Sequence, residues 1–454
     1  MEASNCVFAS MKKALEPLIL GWRVPELRAR MLFVLSAIVL YVMVLHIPIP
    51  NVDHTAMEKL FTSSAGILDF IDMFGGGALR KLSILALGIM PYITSSIVFQ
   101  ILTIAFPYFK ELQQEGEYGR RKMAQWTRWA AIGLTVVQAV IATRAFQSPA
   151  FGILPATGTA FIQSVMSLTA GTMFLLWLGE QITTRGIGNG ISFIIFAGIV
   201  ARLPQSIGEL FQVGAIIQLV LLLALFVGTI YAVITVVQGE RRIPVRYAPR
   251  QAGQRMVQGQ RSYLPLKLAA ANVIPIIFAV SIVLFPGQIA TWYLKAHSTE
   301  SSTLVNIAQG VQNAFNPHSW FASLCYAALV MAFTYFYTAV IFDVRDLSDN
   351  LKRYGGQIQG YAPGRPTEQY INKVLTRITF VGGVFLATLA LMQWWSPTIL
   401  QLPQTSASGG SLLVGGTSLL IVVGVALEIM QNLDQQLKMR QYEGFAKGAG
   451  KGRL

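Results

Sequence analysis

The sequence predicts an all-α membrane protein with ten transmembrane helices in two pseudosymmetric, inverted-repeat halves of five. Three observations carry that prediction. Of the 454 residues, 54% are hydrophobic and 12% charged, where a soluble domain averages about 25% charged. Apolar stretches long enough to cross a bilayer recur along the whole chain. Finally, 27 of the 35 lysines and arginines fall in alternate connecting segments. That asymmetry puts both termini on the cytoplasmic side of the membrane and requires an even number of spans.

In chain order, residues 1–30 form a cytoplasmic segment with five basic residues and no signal-peptide pattern. Within it, Phe8 to Leu20 reads as an interfacial amphipathic helix. Spans are expected at 31–47, 80–106, 125–146, 161–181 and 190–203, making an N-terminal half of 31–203. Five more, at 213–238, 272–294, 319–341, 374–395 and 411–433, make a C-terminal half of 204–433. A basic cytoplasmic tail, 434–454, follows.

The segment Leu68–Thr103 is the most informative. A short amphipathic stretch with Asp69 and Asp72 breaks at Gly75-Gly76-Gly77. The apolar run beyond it holds Pro91 near its middle, then Thr94, Ser95, Ser96 and Gln100. A lipid-facing helix has no use for such features. Irregular backbone at membrane depth is tolerated where it is buried in protein or lines a cavity, so this segment is expected to line a pathway. Pro275, between Ile274 and Ile276, takes the corresponding place in the second half. Broken helices at matching positions are the trace of an inverted repeat with its site at the repeat interface.

The catalytic and energetic signals are negative. Arg128, Arg144, Glu180, Arg377 and Glu428 all lie near span ends and read as snorkelling or loop-capping residues. Cys6 and Cys325 make no disulfide framework, and no His or Cys has metal-ligand spacing. Gly186–Gly190 joins two apolar spans, and the tail at 444–454 lacks P-loop spacing. No enzyme activity, cofactor or metal is expected, and any work must be driven by a partner.

Two connecting segments are far longer than helix–helix loops need. Segment 239–271 holds Arg241, Arg242, Arg246, Arg250, Arg255, Arg261 and Lys267. Segment 342–373 holds Arg345, Lys352, Arg353, Arg365 and Lys373 with four acids. Their charge fits either topology with attraction to anionic lipid, or docking of a large acidic or nucleic-acid-rich partner. Within the spans, Ile89 and Ile93 share one helical face, as do Ile191 and Ile195. Spacing alone favours packing or lipid contact over a dewetting collar, without deciding between them.

Five motifs resemble the SecY family of bacterial translocase channel subunits: 76–103, 115–128, 179–200, 263–286 and 415–422. The resemblance covers nearly the full chain. It implies a ten-helix clamshell hinged between spans five and six, with an hourglass pore that opens sideways between spans two/three and seven/eight. It implies a pore ring of Ile89, Ile93, Ile191, Ile195, Ile277 and Ile421. A plug would comprise Leu68, Asp69, Phe70, Ile71, Asp72, Met73 and Phe74, with Gly75, Gly76 and Gly77 as its tether. A lateral gate would include Thr94, Ser95, Gln100 and Ser281. Docking would use Arg241, Arg242, Arg246, Arg250, Arg255, Arg261, Lys352, Arg353 and Arg365.

The implied partners are the SecE and SecG subunits, the SecA motor ATPase, the ribosome, nascent secretory and membrane proteins with signal sequences, and anionic lipids. The implied location is the bacterial cytoplasmic membrane. Two departures stand out. Ala362 precedes Pro363-Gly364 where the family pattern has arginine, with Arg365 three residues later, and a basic pair in the first loop is reduced to Gln254-Arg255. Either Arg365 moves the charge along the loop, or motor coupling rests more on the first loop. The rival reading is a small-solute secondary transporter. The lack of mid-span charges and the oversized basic loops argue against it. A third reading, an insertase, predicts a groove open to lipid and no central ring.

Overall fold

The computed structural model describes residues 20–53, 55–57, 61, 72, 75–148, 152–211, 216–247, 250–252, 255–257, 261–269, 273–296, 303–316, 319–399 and 416–450. The expected interfacial helix over 8–20 lies outside these apart from Leu20. Outside them too lie Leu68, Asp69, Phe70, Ile71, Met73 and Phe74 of the expected plug.

The helices are α1 (Pro25–Leu45), α2 (Met90–Ala105), α3 (Pro107–Gln114), α4 (Glu117–Gln147), α5 (Gly158–Arg185), α6 (Gly190–Phe211) and α7 (Ile216–Gln238). Four strands follow: β1 (Glu240–Tyr247), β2 (Arg250–Ala252), β3 (Arg255–Val257) and β4 (Arg261–Lys267). Next come α8 (Ile274–Ala296), α9 (Thr303–Ala314), α10 (Trp320–Ile341), α11 (Val344–Arg353), β5 (Gly356–Ile358), α12 (Arg365–Ile399) and α13 (Gly416–Gly450). A helix covers at least part of each of the ten expected spans. Among the described residues, seven helical stretches are long and apolar enough to cross a membrane, or eight if the bent pair α2–α3 is one span.

Packing groups Met1–Gln205 with Ile421–Leu454 in one compact unit and Ser206–Leu420 in a second. In the first, the expected second span differs from what is observed. Residues 75–89 are turns apart from a bridge of Ser83 to Pro48, and α2 starts only at Met90, with Pro91 in its first turn. Proline there needs no N–H partner and its fixed φ suits a helix start, so Pro91 begins the helix instead of breaking it. Pro275 likewise stands second in α8. The turns are tied to the end of α1: Ile49 N–H donates to Leu82 O at 2.9 Å and Ile84 N–H to Ile47 O at 3.0 Å.

In the second unit the two long basic segments are not separate loops. β1 pairs antiparallel with β4 in its own segment and with β5 from the other, giving the order β4-β1-β5. β2 and β3 form a small hairpin. The period-two pattern of Ile243 and Val245 turns them inward. There they form one apolar core with Leu266, Ile358 and Ile371.

Candidate functional site

Four of the six isoleucines expected in the ring share one hydrophobic cluster of the first unit. Ile89 is buried in it, and Ile93, Ile191 and Ile195 pack against it half-buried. α2 supplies the first pair, with Ile89 as its N-cap residue. α6 supplies the second pair, set by a tight turn out of α5. Thr183 Oγ1 accepts from Gly190 N–H at 2.9 Å, and Asn189 Oδ1 from Ile191 N–H at 3.0 Å. The helices approach so closely that a Cβ on Gly190 would lie 1.9 Å from Gly179 O. Ile421 is buried and opens the C-terminal stretch grouped with this unit, while Ile277 is buried in the second unit.

Asp72 organises the start of the turn run. Its carboxylate Oδ1 accepts from Leu79 N–H at 2.7 Å and Arg80 N–H at 3.1 Å. Its carbonyl accepts from Gly75 N–H and Gly77 N–H, each at 3.1 Å. Arg202 of α6 sets Nη1 3.1 Å from Asp72 Oδ2, and the two side chains are 7% and 0% exposed. Within the glycine run, Gly76 alone is tightly packed, while a Cβ on Gly77 would meet nothing within 4 Å. Gly76 has φ 69°, and a Cβ there would fall 2.8 Å from both Gly198 Cα and Tyr41 Oη. Tyr41 donates its hydroxyl to Gly75 O at 3.3 Å.

The expected gate residues on α2 differ in exposure. Thr94 and Gln100 are exposed on α2, whereas Ser95 is buried. Thr94 turns its hydroxyl back to Met90 O at 3.0 Å. Ser281 belongs to α8, and its side chain lies outside the description.

Of the residues expected to dock partners, Arg241, Arg242 and Arg246 project outward from β1. Arg242 pairs with Glu240 at 2.6 Å and its guanidinium stands 5.0 Å above the Tyr263 ring. The Glu240 hydrogen bond and charge raise its pKa further. Arg246 lies opposite Arg261 on β4 and Gln357 on β5. Arg250 and Arg255 lie on the hairpin, and the side chains of Arg250, Arg255 and Arg261 lie outside the description. Lys352 and Arg353 occupy the last turn of α11, where cations suit the helix dipole. Arg365 is the exposed first residue of α12. Beside it, Ala362 O accepts from Thr367 Oγ1 at 2.8 Å and Gly364 O from Ser348 Oγ at 3.0 Å, fixing the turn that carries Arg365.

Sequence reasoning missed four features. The Asp72–Arg202 pair joins residues 130 positions apart in the chain, and nothing in the spacing points to it. Arg128 and Glu180 meet at 2.5 Å between α4 and α5, and the Arg144 guanidinium stands 4.6 Å above the Phe161 ring. The joint sheet had a signal in Ile243-Pro244-Val245-Arg246, an alternating apolar pattern beside turn residues.

The family model described as SecY matches residues 83–430. The protein translocase subunit SecY of Thermotoga maritima is 42% identical over 441 residues, covering 94% of this chain and 96% of that protein. The same subunit of Escherichia coli (strain K12) is 43% identical over 433 residues, covering 93% and 95%. A solved structure described as that of a protein conducting channel superposes with a TM-score of 0.57 at 16% identity, covering 89% of this chain and 91% of that one. Sec61 in the canine ribosome-channel complex gives a TM-score of 0.54 at 15% identity, with the same coverage. Identities this low carry the fold alone. These relatives give the transporter reading no support. With agreement over 83–430 and relatives above two-fifths identical along nearly the whole sequence, the chain belongs to the SecY family of protein-conducting translocase channels.

Proposed function

We propose that this channel is passive and partner-driven, closed by an isoleucine collar and docked by its partners on the two-segment sheet. The observation that carries the docking part is the pairing of β1 with β5. It joins two basic segments far apart in the chain into one platform with Arg241, Arg242 and Arg246 on its outer side. A surface that is rigid, basic and backed by its own apolar core suits a large anionic partner better than a floppy charged loop does. The partners proposed for it are the translating ribosome and the SecA motor. The Sec61 relative in the ribosome-channel complex supports the first of these. SecE, SecG and anionic lipid complete the proposed set, with both termini in the bacterial cytoplasm.

For the pore, the collar is Ile89, Ile93, Ile191, Ile195, Ile277 and Ile421. Aliphatic side chains exclude water and ions by dewetting yet yield to an extended polypeptide. The common cluster of the first four supports this. Leu68–Phe74 is the proposed plug, and Thr94, Ser95, Gln100 and Ser281 the proposed gate through which signal sequences and hydrophobic segments leave. Reversing Arg246, Arg250 and Arg255 to glutamate tests the docking part. Co-sedimentation with ribosomes should fall, with a shallower salt dependence than wild type, while unchanged binding refutes the platform.

A further inference from the structure

The short helix α9, between α8 and α10, divides into three sectors around its axis. It packs along α8. On that side Ala308 is buried, and Gln312, one turn on, donates its amide to Thr291 Oγ1 of α8 at 3.4 Å. Asn306, Gln309 and Asn313 make an exposed polar sector. Leu304 and Ile307 make an exposed apolar one, 60% and 58% exposed, continued by half-buried Val311. Single exposed aliphatic side chains are ordinary on any protein surface. These two stand in a setting that is not.

Phe315, just past α9, meets Phe321 of α10 edge-on, with ring centres 5.6 Å apart. Beside Phe321, Trp320 opens α10 at 80% exposure, and Trp395 of α12 lies 5.4 Å from it. Trp395 in turn donates Nε1 to Ser323 Oγ at 3.0 Å. Tryptophan collects where membrane meets water, so α9 ends at the depth where α10 enters the bilayer. The helices on either side of it in the chain present exposed Ile282, Ile289, Phe321 and Leu324. Charge narrows the contact further. No Lys, Arg, Asp or Glu occurs between Ser301 and Phe342. Interfacial helices bind through buried apolar area and through attraction of basic residues to anionic headgroups. α9 has the first of these alone.

We propose that α9 lies in the outer interface of the membrane. Leu304 and Ile307 enter the boundary between acyl chains and headgroups, Asn306, Gln309 and Asn313 face water, and the seat is independent of lipid charge. Because α9 packs on α8, the seat holds the outer end of that helix at the interface. This inference rests on the orientation given above, with both termini in the cytoplasm.

The test uses the full translocase in phosphatidylcholine nanodiscs, with Cys6→Ser and Cys325→Ser as background. Single cysteines replacing Leu304, Ile307, Asn306 or Gln309 carry an environment-sensitive fluorophore. Phosphatidylcholine with brominated chains should quench the labels at Leu304 and Ile307 several-fold more than those at Asn306 and Gln309. Iodide should do the reverse, and adding phosphatidylglycerol should leave the pattern unchanged. Iodide quenching at all four positions overturns the proposal, leaving α9 in water. Labels at Leu304 and Ile307 shielded from both quenchers overturn it in favour of a protein partner. Lipid quenching that appears only with phosphatidylglycerol overturns the charge-independent seat. The orientation is read separately, because quenching reports depth and not side. An impermeant maleimide should reach Gln309→Cys in intact spheroplasts, and labelling only after lysis refutes the orientation alone.

Discussion

At the scale of single residues, the described site consists of aliphatic side chains with one buried ion pair beside them. Removing either partner of that pair leaves an uncompensated charge, so Asp72→Ala or Arg202→Ala should each cost about 3–5 kcal/mol. The double substitution should cost clearly less than the sum, because neither charge remains to be stranded. Denaturant unfolding of the four proteins in detergent measures this, and strict additivity would deny that the pair acts as a unit. At the collar, Ile277→Asn or Ile421→Asn puts a hydrogen-bonding group where a dewetted surface is proposed. Vesicles carrying either variant should leak ions, and export should tolerate defective signal sequences. Tight vesicles with unchanged signal requirements count against those two assignments. The isoleucine pairs were legible from the sequence as faces but not as a collar, since 89/93 and 191/195 spacing is the same for packing, lipid contact and a pore. Asp72–Arg202 was not legible at all, because ion pairing across 130 residues leaves no local pattern.

At the scale of elements, the sequence placed the helices well and misread how two of them begin. Pro91 and Pro275 each looked like a break inside a span, and each stands in the first turn of its helix. Local sequence could not separate these outcomes, since proline interrupts a helix and starts one for the same reason, its missing N–H. What decides at Pro91 is the anchoring of residues 75–84 by α1 and Asp72, which is tertiary. The α5–α6 hairpin gives a sharp test: Gly190→Ala forces a methyl against Gly179 O. It should destabilise the first unit by about 1–3 kcal/mol, lowering the unfolding midpoint in detergent, and an unchanged midpoint would contradict the close approach. On the sheet, Arg246→Glu should weaken partner binding more than Arg242→Glu, because Arg242 is already engaged by Glu240 and Tyr263. Equal losses in a binding titration would mean that those neighbours do not hold it back. The basic segments were legible as charge but not as one sheet, because β1–β5 pairing joins strands about a hundred residues apart.

At the scale of the whole molecule, membership in the SecY family makes the chain a protein-conducting membrane channel, and the packing explains how one polypeptide supplies its parts. The first unit presents four of the proposed collar residues on α2 and at the turn into α6. The second carries the joined basic sheet. Composition and charge asymmetry alone had made the membrane class plain, and five separate motifs had pointed to the family. The central claim is that a translocating chain passes through the isoleucine collar. The direct measurement is crosslinking of an arrested secretory precursor to single cysteines at Ile89 and Ile195, with exposed Met166 and Met173 of α5 as controls. Crosslinks at both isoleucine positions with none at the controls is the predicted result. Crosslinks at the controls with none at Ile89 and Ile195 would contradict it.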